Sequence, residues 1–348
     1  MRNSVDRDKI VIKGWDIQEL TEFMKKLKEK PYRAKQLHIW LYRKLARSFE
    51  EMTDLPAILR NYLEKKTIIN LVEPVEVIKS PDDNSEKYLF RLTDGNYIES
   101  VYMESQGRRT VCLSTQVGCN LGCTFCATAR MGLKRNLTAG EILDQFLFIN
   151  RTKDRKITNI VYMGMGEPLL NYEDTIKSIK ILNSELGPEI SARKITVSTC
   201  GIVPIIYRIA NERHKFKLAI SLNATTNEQR NKIMPINKKY PIKDILKAIN
   251  YYTSNLKRRV TFEYVIIKGF NDSVNDAKRL KSLLSGIPCK LNIIPFNENE
   301  FSKFQSSDEK TMDKFIEEIY KAPFAVTVRR SQGRSIKGAC GQLYCKQN

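Results

Sequence analysis

The sequence predicts an α/β protein: a partial barrel of six strand–helix units, preceded by a small helical module and a β-hairpin extension. Three observations carry this. Apolar segments at 110–114, 157–163, 194–198, 217–222, 260–267 and 291–296 alternate with helical stretches, and repeated strand–helix units build a parallel sheet. Asp94-Gly95 lies between segments 88–92 and 97–103, a strong hairpin signal. Before residue 66 the apolar residues recur at helical spacing. Six units fall short of the eight of a closed barrel.

In chain order, Asp16 and Glu19 form a capping-box pattern, after which Leu20, Phe23, Met24 and Leu27 fall on one helix face. Pro31 stops that helix. A second carries Leu37, Trp40 and Leu41, and a third follows Pro56 with Ile58, Leu59, Tyr62 and Leu63. Residues 1–66 thus read as a helical module rich in Lys and Arg. Residues 67–108 hold the hairpin, and 109–345 the barrel. Within the barrel, Thr138 with Glu141 caps one helix and Pro241 starts another. A late helix at 309–320 and a strand at 324–328 close the pattern.

Composition narrows the function. Among 348 residues, Lys and Arg number 59 against 39 Asp and Glu, a net charge of +20. Such an excess attracts polyanions, so nucleic acid is favoured as partner, although a Lys-rich genome would give the same balance. No apolar run approaches the ~18 residues of a membrane span. Residues 1–9 mix Arg2, Asp6, Arg7 and Asp8, unlike a secretory or transit leader. A cytoplasmic, monomeric protein is expected, with no membrane partner. In that setting the eight cysteines are not a disulfide framework.

Three of them form Cys119-Asn-Leu-Gly-Cys123-Thr-Phe-Cys126, directly after the first barrel strand. Thiolates at this spacing converge on one inorganic cluster, with Gly118 and Gly122 relieving the tight backbone. Three ligands leave one iron of a cubane open, the mark of a reactive metal site. The motif resembles the radical S-adenosylmethionine (SAM) superfamily, in which SAM chelates that fourth iron of a 4Fe–4S cluster. Zinc is the alternative. It would need a fourth ligand, and His38 and His214 are both distant, which leaves Cys340 or Cys345.

Barrel active sites lie at the C-terminal ends of the strands. Those ends carry Gly164-Met165-Gly166-Glu167, then Ser198, then Ser221-Leu222-Asn223, then Asn297. Glu167 can receive an ammonium group, and the others offer hydrogen bonds to a carboxylate or ribose. Polar residues commonly end strands, but four such ends around one rim make a ligand site.

From about Asp16 to Leu343 the chain resembles the dual-specificity RNA methyltransferases that methylate C2 of adenosine. The resemblance rests on Gln116-Val-Gly-Cys-Asn-Leu-Gly-Cys-Thr-Phe-Cys-Ala127, Met163-Gly-Met-Gly-Glu-Pro-Leu-Leu-Asn171, Met234-Pro-Ile-Asn-Lys-Lys-Tyr240 and Ala339-Cys-Gly-Gln-Leu343. It implies a partial (β/α)6 barrel, an N-terminal domain that helps bind RNA, and two substrates: 23S rRNA at adenosine 2503 of the peptidyl-transferase centre, and tRNA at adenosine 37. It also implies a flavodoxin- or ferredoxin-like electron donor. Asn223 departs from the pattern, since many members have His there.

C2 of adenine lies between two ring nitrogens and is electron-poor, so it does not attack the SAM methyl directly and a radical route is needed. The resemblance implies that Cys340 takes a methyl from a first SAM, and that a second SAM, cleaved at the cluster, yields a 5′-deoxyadenosyl radical that activates this methyl. The carbon then bonds to C2. Glu99 would remove the C2 proton, and Cys112 would attack the Cys340 sulfur to release the RNA through a transient disulfide. From the residues alone, Cys112 also reads as core filler, Glu99 as a solvated strand residue and Cys340 as a tail thiol. Cys200, Cys289 and Cys345 read as structural. Three rivals stay open: C8 methylation as in antibiotic-resistance relatives, a zinc-bearing non-catalytic RNA-binding protein, and a radical SAM enzyme with another substrate. Pro168 after Glu167 resembles the C2 branch.

Overall fold

Helix ends specified by single residues build the N-terminal module. The computed structural model describes residues 9–347; residues 1–8, on which most of the leader reading rests, and residue 348 lie outside the described residues. Asp16 accepts the Glu19 N–H while the Glu19 carboxylate accepts the Asp16 N–H, so α1 (Ile17–Lys26) starts on a complete capping box. Helices α2 (Tyr32–Tyr42) and α3 (Ala57–Lys66) begin at Pro31 and Pro56. Leu20, Phe23, Met24, Leu37, Leu41, Leu59 and Leu63 point into one core. Ile58 and Tyr62 do not: they are 86% and 40% exposed. Successive helix residues turn by about 100°, so Leu59 and Leu63 take the inner face and their predecessors face out. A parallel strand pair, Ile10–Val11 with Thr67–Ile68, closes the module.

Two devices fasten it to the barrel. Gly14 (φ +95°) and Gly140 touch backbone to backbone; a Cβ on Gly140 would lie 2.3 Å from the Lys13 carbonyl oxygen. Beside them, the buried Asp144 carboxylate accepts the Leu71 and Val72 N–H groups at 2.7 and 3.0 Å and faces the Lys13 ammonium at 3.6 Å. Removing one partner of a buried pair strands the other. Asp144→Ala is therefore expected to cost about 3–5 kcal/mol, seen as a lower urea midpoint; an unchanged midpoint would show that the pair does not hold the modules together.

Ten strands form one sheet, whose spatial order is the chain order. They are β1 (Val72–Lys79), β2 (Asn84–Leu92), β3 (Tyr97–Ser105), β4 (Arg108–Cys112), β5 (Asn159–Tyr162), β6 (Ile195–Thr199), β7 (Lys217–Ser221), β8 (Val260–Ile266), β9 (Cys289–Pro295) and β10 (Ala325–Val328). The antiparallel part is a meander: the Asp94-Gly95 hairpin joins β2 and β3, β1 adds a third strand, and β3 pairs directly with β4. From β4 to β10 every neighbouring pair is parallel. Six crossovers link them, carrying α4 (Ala139–Arg151), α5 (Tyr172–Asn183), α6 (Val203–Asn211), α7 (Asn227–Ile233) with α8 (Ile242–Leu256), α9 (Val274–Leu284) and α10 (Glu309–Ile319). This is the partial (β/α)6 barrel that the strand–helix alternation predicts, with a seventh parallel strand at its edge.

The period of two along each strand sorts the side chains. One set, including Tyr162, Val197, Ile220, Phe262 and Ile293, is buried in the main core. The alternate set includes Thr196, Ser198, Lys217, Ser221, Glu263 and Asn292 and lines cavities inside the sheet. A closed eight-stranded barrel fills its interior with branched apolar side chains. Here the interior is polar and open, and that opening holds the site.

Candidate active site

The cysteine loop hangs from a short antiparallel pair, Gln116–Cys119 with Gly132–Asn136, that follows β4. Gly118 has φ +75°, and a Cβ there would meet the Gly132 carbonyl oxygen at 1.8 Å, so no other residue allows this turn. Cys119, Cys123 and Cys126 join a small apolar cluster with Leu121, Met234, Ile267 and Phe296, and all three line one cavity at the C-terminal ends of the strands. Among the described residues, no three His, Cys, Asp or Glu side chains converge tightly enough to share a single ion. What the three thiols share is one cavity wall at the strand ends, the donor set that a cluster with one open iron needs. Burial pushes the Cys119 and Cys126 thiols above their ordinary range; a metal group would hold them as thiolates. Cys345, one candidate fourth zinc ligand, instead donates to the Met165 sulfur at 3.8 Å.

The predicted rim faces the same cavity: Gly166, Glu167, Ser198, Ser221, Asn223 and Asn297 all line it. Gly166 (φ +99°) lies so close to Gln116 that a Cβ would stand 2.5 Å from the Gln116 Cβ. Glu167 is buried and accepts the N–H groups of Cys200 (2.8 Å) and Leu169 (3.0 Å); burial nevertheless pushes its pKa up. Asn223 takes φ +57°, a left-handed conformation that Asn tolerates well, and its Oδ1 accepts the Val265 N–H at 2.9 Å. Leu222 is fully buried in the main core and its carbonyl accepts from Arg230.

Cys340 also borders this cavity, on a C-terminal segment anchored along its length. The Ala127 N–H donates to the Gly341 carbonyl, the Thr128 hydroxyl to the Leu343 carbonyl, and the Asn297 amide to the Cys340 carbonyl at 3.2 Å. It is therefore no loose tail thiol. On its other side Cys340 borders a second, small pocket that also contains Cys112, Met163 and Arg329. Burial pushes the Cys112 thiol up to about 12 and raises that of Cys340 as well, while the Arg329 guanidinium draws both down. All eight cysteines are free thiols in the structure, so the expected Cys112–Cys340 disulfide is absent from this state.

Glu99 is buried, which removes the solvated reading. Its carboxylate pairs with Lys87 at 2.9 Å and accepts the Tyr344 N–H at 2.8 Å. It faces a neighbouring cavity with Gln342 and Tyr344, not the cavity of the cysteine loop. The C-terminal segment runs between Glu99 and that loop.

The family model described as Radical SAM superfamily matches residues 113–280, and that of the ribosomal RNA large subunit methyltransferase N-terminal domain matches residues 10–69. A probable dual-specificity RNA methyltransferase RlmN of Clostridioides difficile (strain 630) is 45% identical over 97% of this chain and 98% of its own. The chain belongs to the RlmN family. The dual-specificity RNA methyltransferase RlmN 2 of Myxococcus xanthus (strain DK1622) is similar at 47% identity, covering 94% of this chain and 88% of the relative. A crystal structure of a radical SAM methyltransferase from Sphaerobacter thermophilus superposes with a TM-score of 0.94 at 42% identity, covering 97% of this chain and all of the other. As an RlmN-family member the chain is a radical SAM RNA methyltransferase of dual specificity. No described helix is long and apolar enough to cross a membrane.

Several residues of this RlmN-type site escaped the sequence reading. Arg230 is fully buried; its guanidinium donates to the carbonyls of Cys200 (2.6 Å), Ser221 (3.2 Å) and Leu222 (3.0 Å), stitching two rim segments together. Glu263 accepts from the Ser198 hydroxyl at 2.7 Å and forms the floor of the cavity. Cys200, read as structural, lines the cavity and packs with the cysteine loop. Arg329 follows β10, where strict alternation from Thr327 would have placed it inside the barrel.

Proposed function

We propose that the chain methylates C2 of adenosine, at position 2503 of 23S rRNA and position 37 of tRNA, through an S-methylated Cys340. One observation carries this reading: Cys340 is anchored where the cavity of the cysteine loop meets the pocket of Cys112. Cys119, Cys123 and Cys126 would hold a 4Fe–4S cluster, which supplies, with an electron from a flavodoxin- or ferredoxin-like donor, the reductive cleavage of SAM to a 5′-deoxyadenosyl radical. Gly166, Glu167, Ser198, Ser221, Leu222, Asn223 and Asn297 would surround SAM, of which each turnover consumes two. The Leu222 contribution is to hold Ser221 and Asn223 in place, because its side chain is in the core and its N–H and carbonyl are taken by the Glu263 carbonyl and Arg230.

The protein's own side chains then divide the work. Cys340 accepts the first methyl on sulfur; one hydrogen atom of that methyl would go to the 5′-deoxyadenosyl radical, and the carbon would then bond to C2 of the base, one electron passing back to the cluster. Glu99 takes the C2 proton, and the Cys112 thiolate attacks the Cys340 sulfur, so that a disulfide closes as the carbon–sulfur bond breaks and the carbon leaves with the electron pair and takes up a proton as the product methyl. Because Glu99 is engaged with Tyr344, it reaches the base when the C-terminal segment exchanges that bond for RNA. Burial raises the Glu99 pKa, a direction suited to a general base, while Lys87 opposes the shift. Lys87→Met should thus raise it further and move the acidic limb of the kcat profile to higher pH; an unmoved limb would remove Glu99 as the base.

The direct test is nucleoside mass spectrometry of 23S rRNA fragment and tRNA after anaerobic incubation with reconstituted protein, SAM and a reductant. 2-Methyladenosine in both RNAs is the expected product. 8-Methyladenosine would place the chain with the resistance enzymes, and neither product from a cluster-loaded protein would overturn the reading.

A further inference from the structure

The interior of the barrel has a second mouth. At the N-terminal ends of the strands a cavity of about 530 Å³ opens on the side opposite the cysteine loop. Its wall carries Arg108, Lys194, Lys217, Lys290 and Arg330, with Glu263 as its single acid. None of the three lysines is ion-paired among the described residues. Lys290 is held below its ordinary pKa by burial and by the neighbouring charges of Lys217 and Arg259, so an anion entering here would relieve a repulsion already present. Met103, Val161, Met163, Arg329 and Gln332 line both this cavity and the pocket of Cys112 and Cys340. Cys112 borders only that pocket, whereas Cys340 also borders the upper cavity.

We propose that this basic mouth is the entry site for a low-molecular-weight anionic thiol, which reduces the Cys112–Cys340 disulfide between turnovers. The proposal rests on the thiol chemistry argued above, which forms one disulfide per methylated base. While RNA and the C-terminal segment occupy the upper side, the lower mouth stays open. The incoming thiolate attacks the Cys112 sulfur, forming a mixed disulfide and expelling Cys340 as a thiolate beside Arg329. A second thiol then displaces Cys112, so two thiols are oxidised to one disulfide and the protein regains two thiols. The lysines draw the anion in, because a cleft lined by one sign of charge raises on-rates ~10–10³-fold.

The test uses full-length protein oxidised with diamide, with the Cys112–Cys340 linkage followed by peptide mass spectrometry. Reductants are 3-mercaptopropionate, 2-mercaptoethanol and cysteamine (anionic, neutral and cationic), each normalised to its rate with a free aromatic disulfide. At low salt the anionic thiol should be about tenfold faster than the cationic one. K194E/K217E/K290E should reverse that order, and the triple Lys→Gln variant, with its circular dichroism melt unchanged, should weaken it severalfold, leaving what Arg108, Arg329 and Arg330 supply. A linkage that forms but shows no charge preference overturns this proposal alone. Failure of the linkage to form overturns the thiol pairing of the proposed function and this proposal with it. Loss of tRNA affinity in the Lys→Gln variant without a change in thiol preference would assign the mouth to RNA, and would overturn the thiol site.

Discussion

Cys340→Ala is expected to abolish RNA methylation, by at least about 10⁴-fold, because a nucleophile that carries the transferred group has no substitute nearby. The variant should still fold. Cys340 is half-buried, and its segment is anchored through backbone groups: the Gly341 and Leu343 carbonyls, the Tyr344 N–H and its own carbonyl. A side-chain truncation there costs no more than about 1 kcal/mol. It should also leave iron and sulfide content unchanged, since Cys119, Cys123 and Cys126 are held by a different turn. The variant thus separates two roles that a cysteine beside this cavity can play. A fourth cluster ligand would lose iron or alter its visible spectrum on substitution. A methyl carrier would lose only the product and the methylated peptide that mass spectrometry reads after incubation with SAM alone. Methylated RNA from Cys340→Ala would sink the carrier role. So would an intact methylated peptide in wild type mapped to another cysteine.

The same residues show how far the sequence could be read. The α1 capping box, the strand–helix alternation and the cysteine loop are local: each depends on neighbours within a few positions, and each lies where the pattern put it. What stayed hidden depends on distant partners. Arg230 sits in the polar run Thr225–Asn231 of the sequence and reads as a solvated helix residue, yet it is fully buried against carbonyls of two other strand ends. Asp144 gains its meaning only from Lys13 and the turn at Leu71. Alternation along β3 offered two faces for Glu99 without saying which was inside. The polar, open interior follows from curling seven parallel strands without closing them, and no single strand records that. Ile58 and Leu59 could not be ranked because consecutive apolar residues leave the phase of a helix undetermined.

Cys112→Ala is expected to stop the reaction one step later and leave a covalent protein–RNA adduct. The argument is one of proximity. Cys112 and Cys340 share a small pocket with Arg329, whose guanidinium opposes the burial that raises both thiols, and an attacking thiol already in the pocket avoids the entropic cost of bringing one in from solution. Dissolved thiols lack that placement and release the RNA more slowly. The adduct should therefore accumulate to one RNA per protein and migrate as a single slow band that survives denaturation. After nuclease digestion, the Cys340 peptide should carry one adenosine through one added carbon. The substitution itself is mild, because Cys112 is a small buried residue on a β3–β4 pairing that backbone hydrogen bonds maintain, so loss of folding would not mimic the result. Glu99→Gln should not give this species in released form either, but it should stall with the C2 proton still in place, so deuterium at C2 of the RNA is retained in that adduct and lost in the Cys112→Ala adduct. Free methylated RNA from Cys112→Ala at the wild-type rate would return Cys112 to core filler, the reading its neighbours Val111 and Leu113 first suggested.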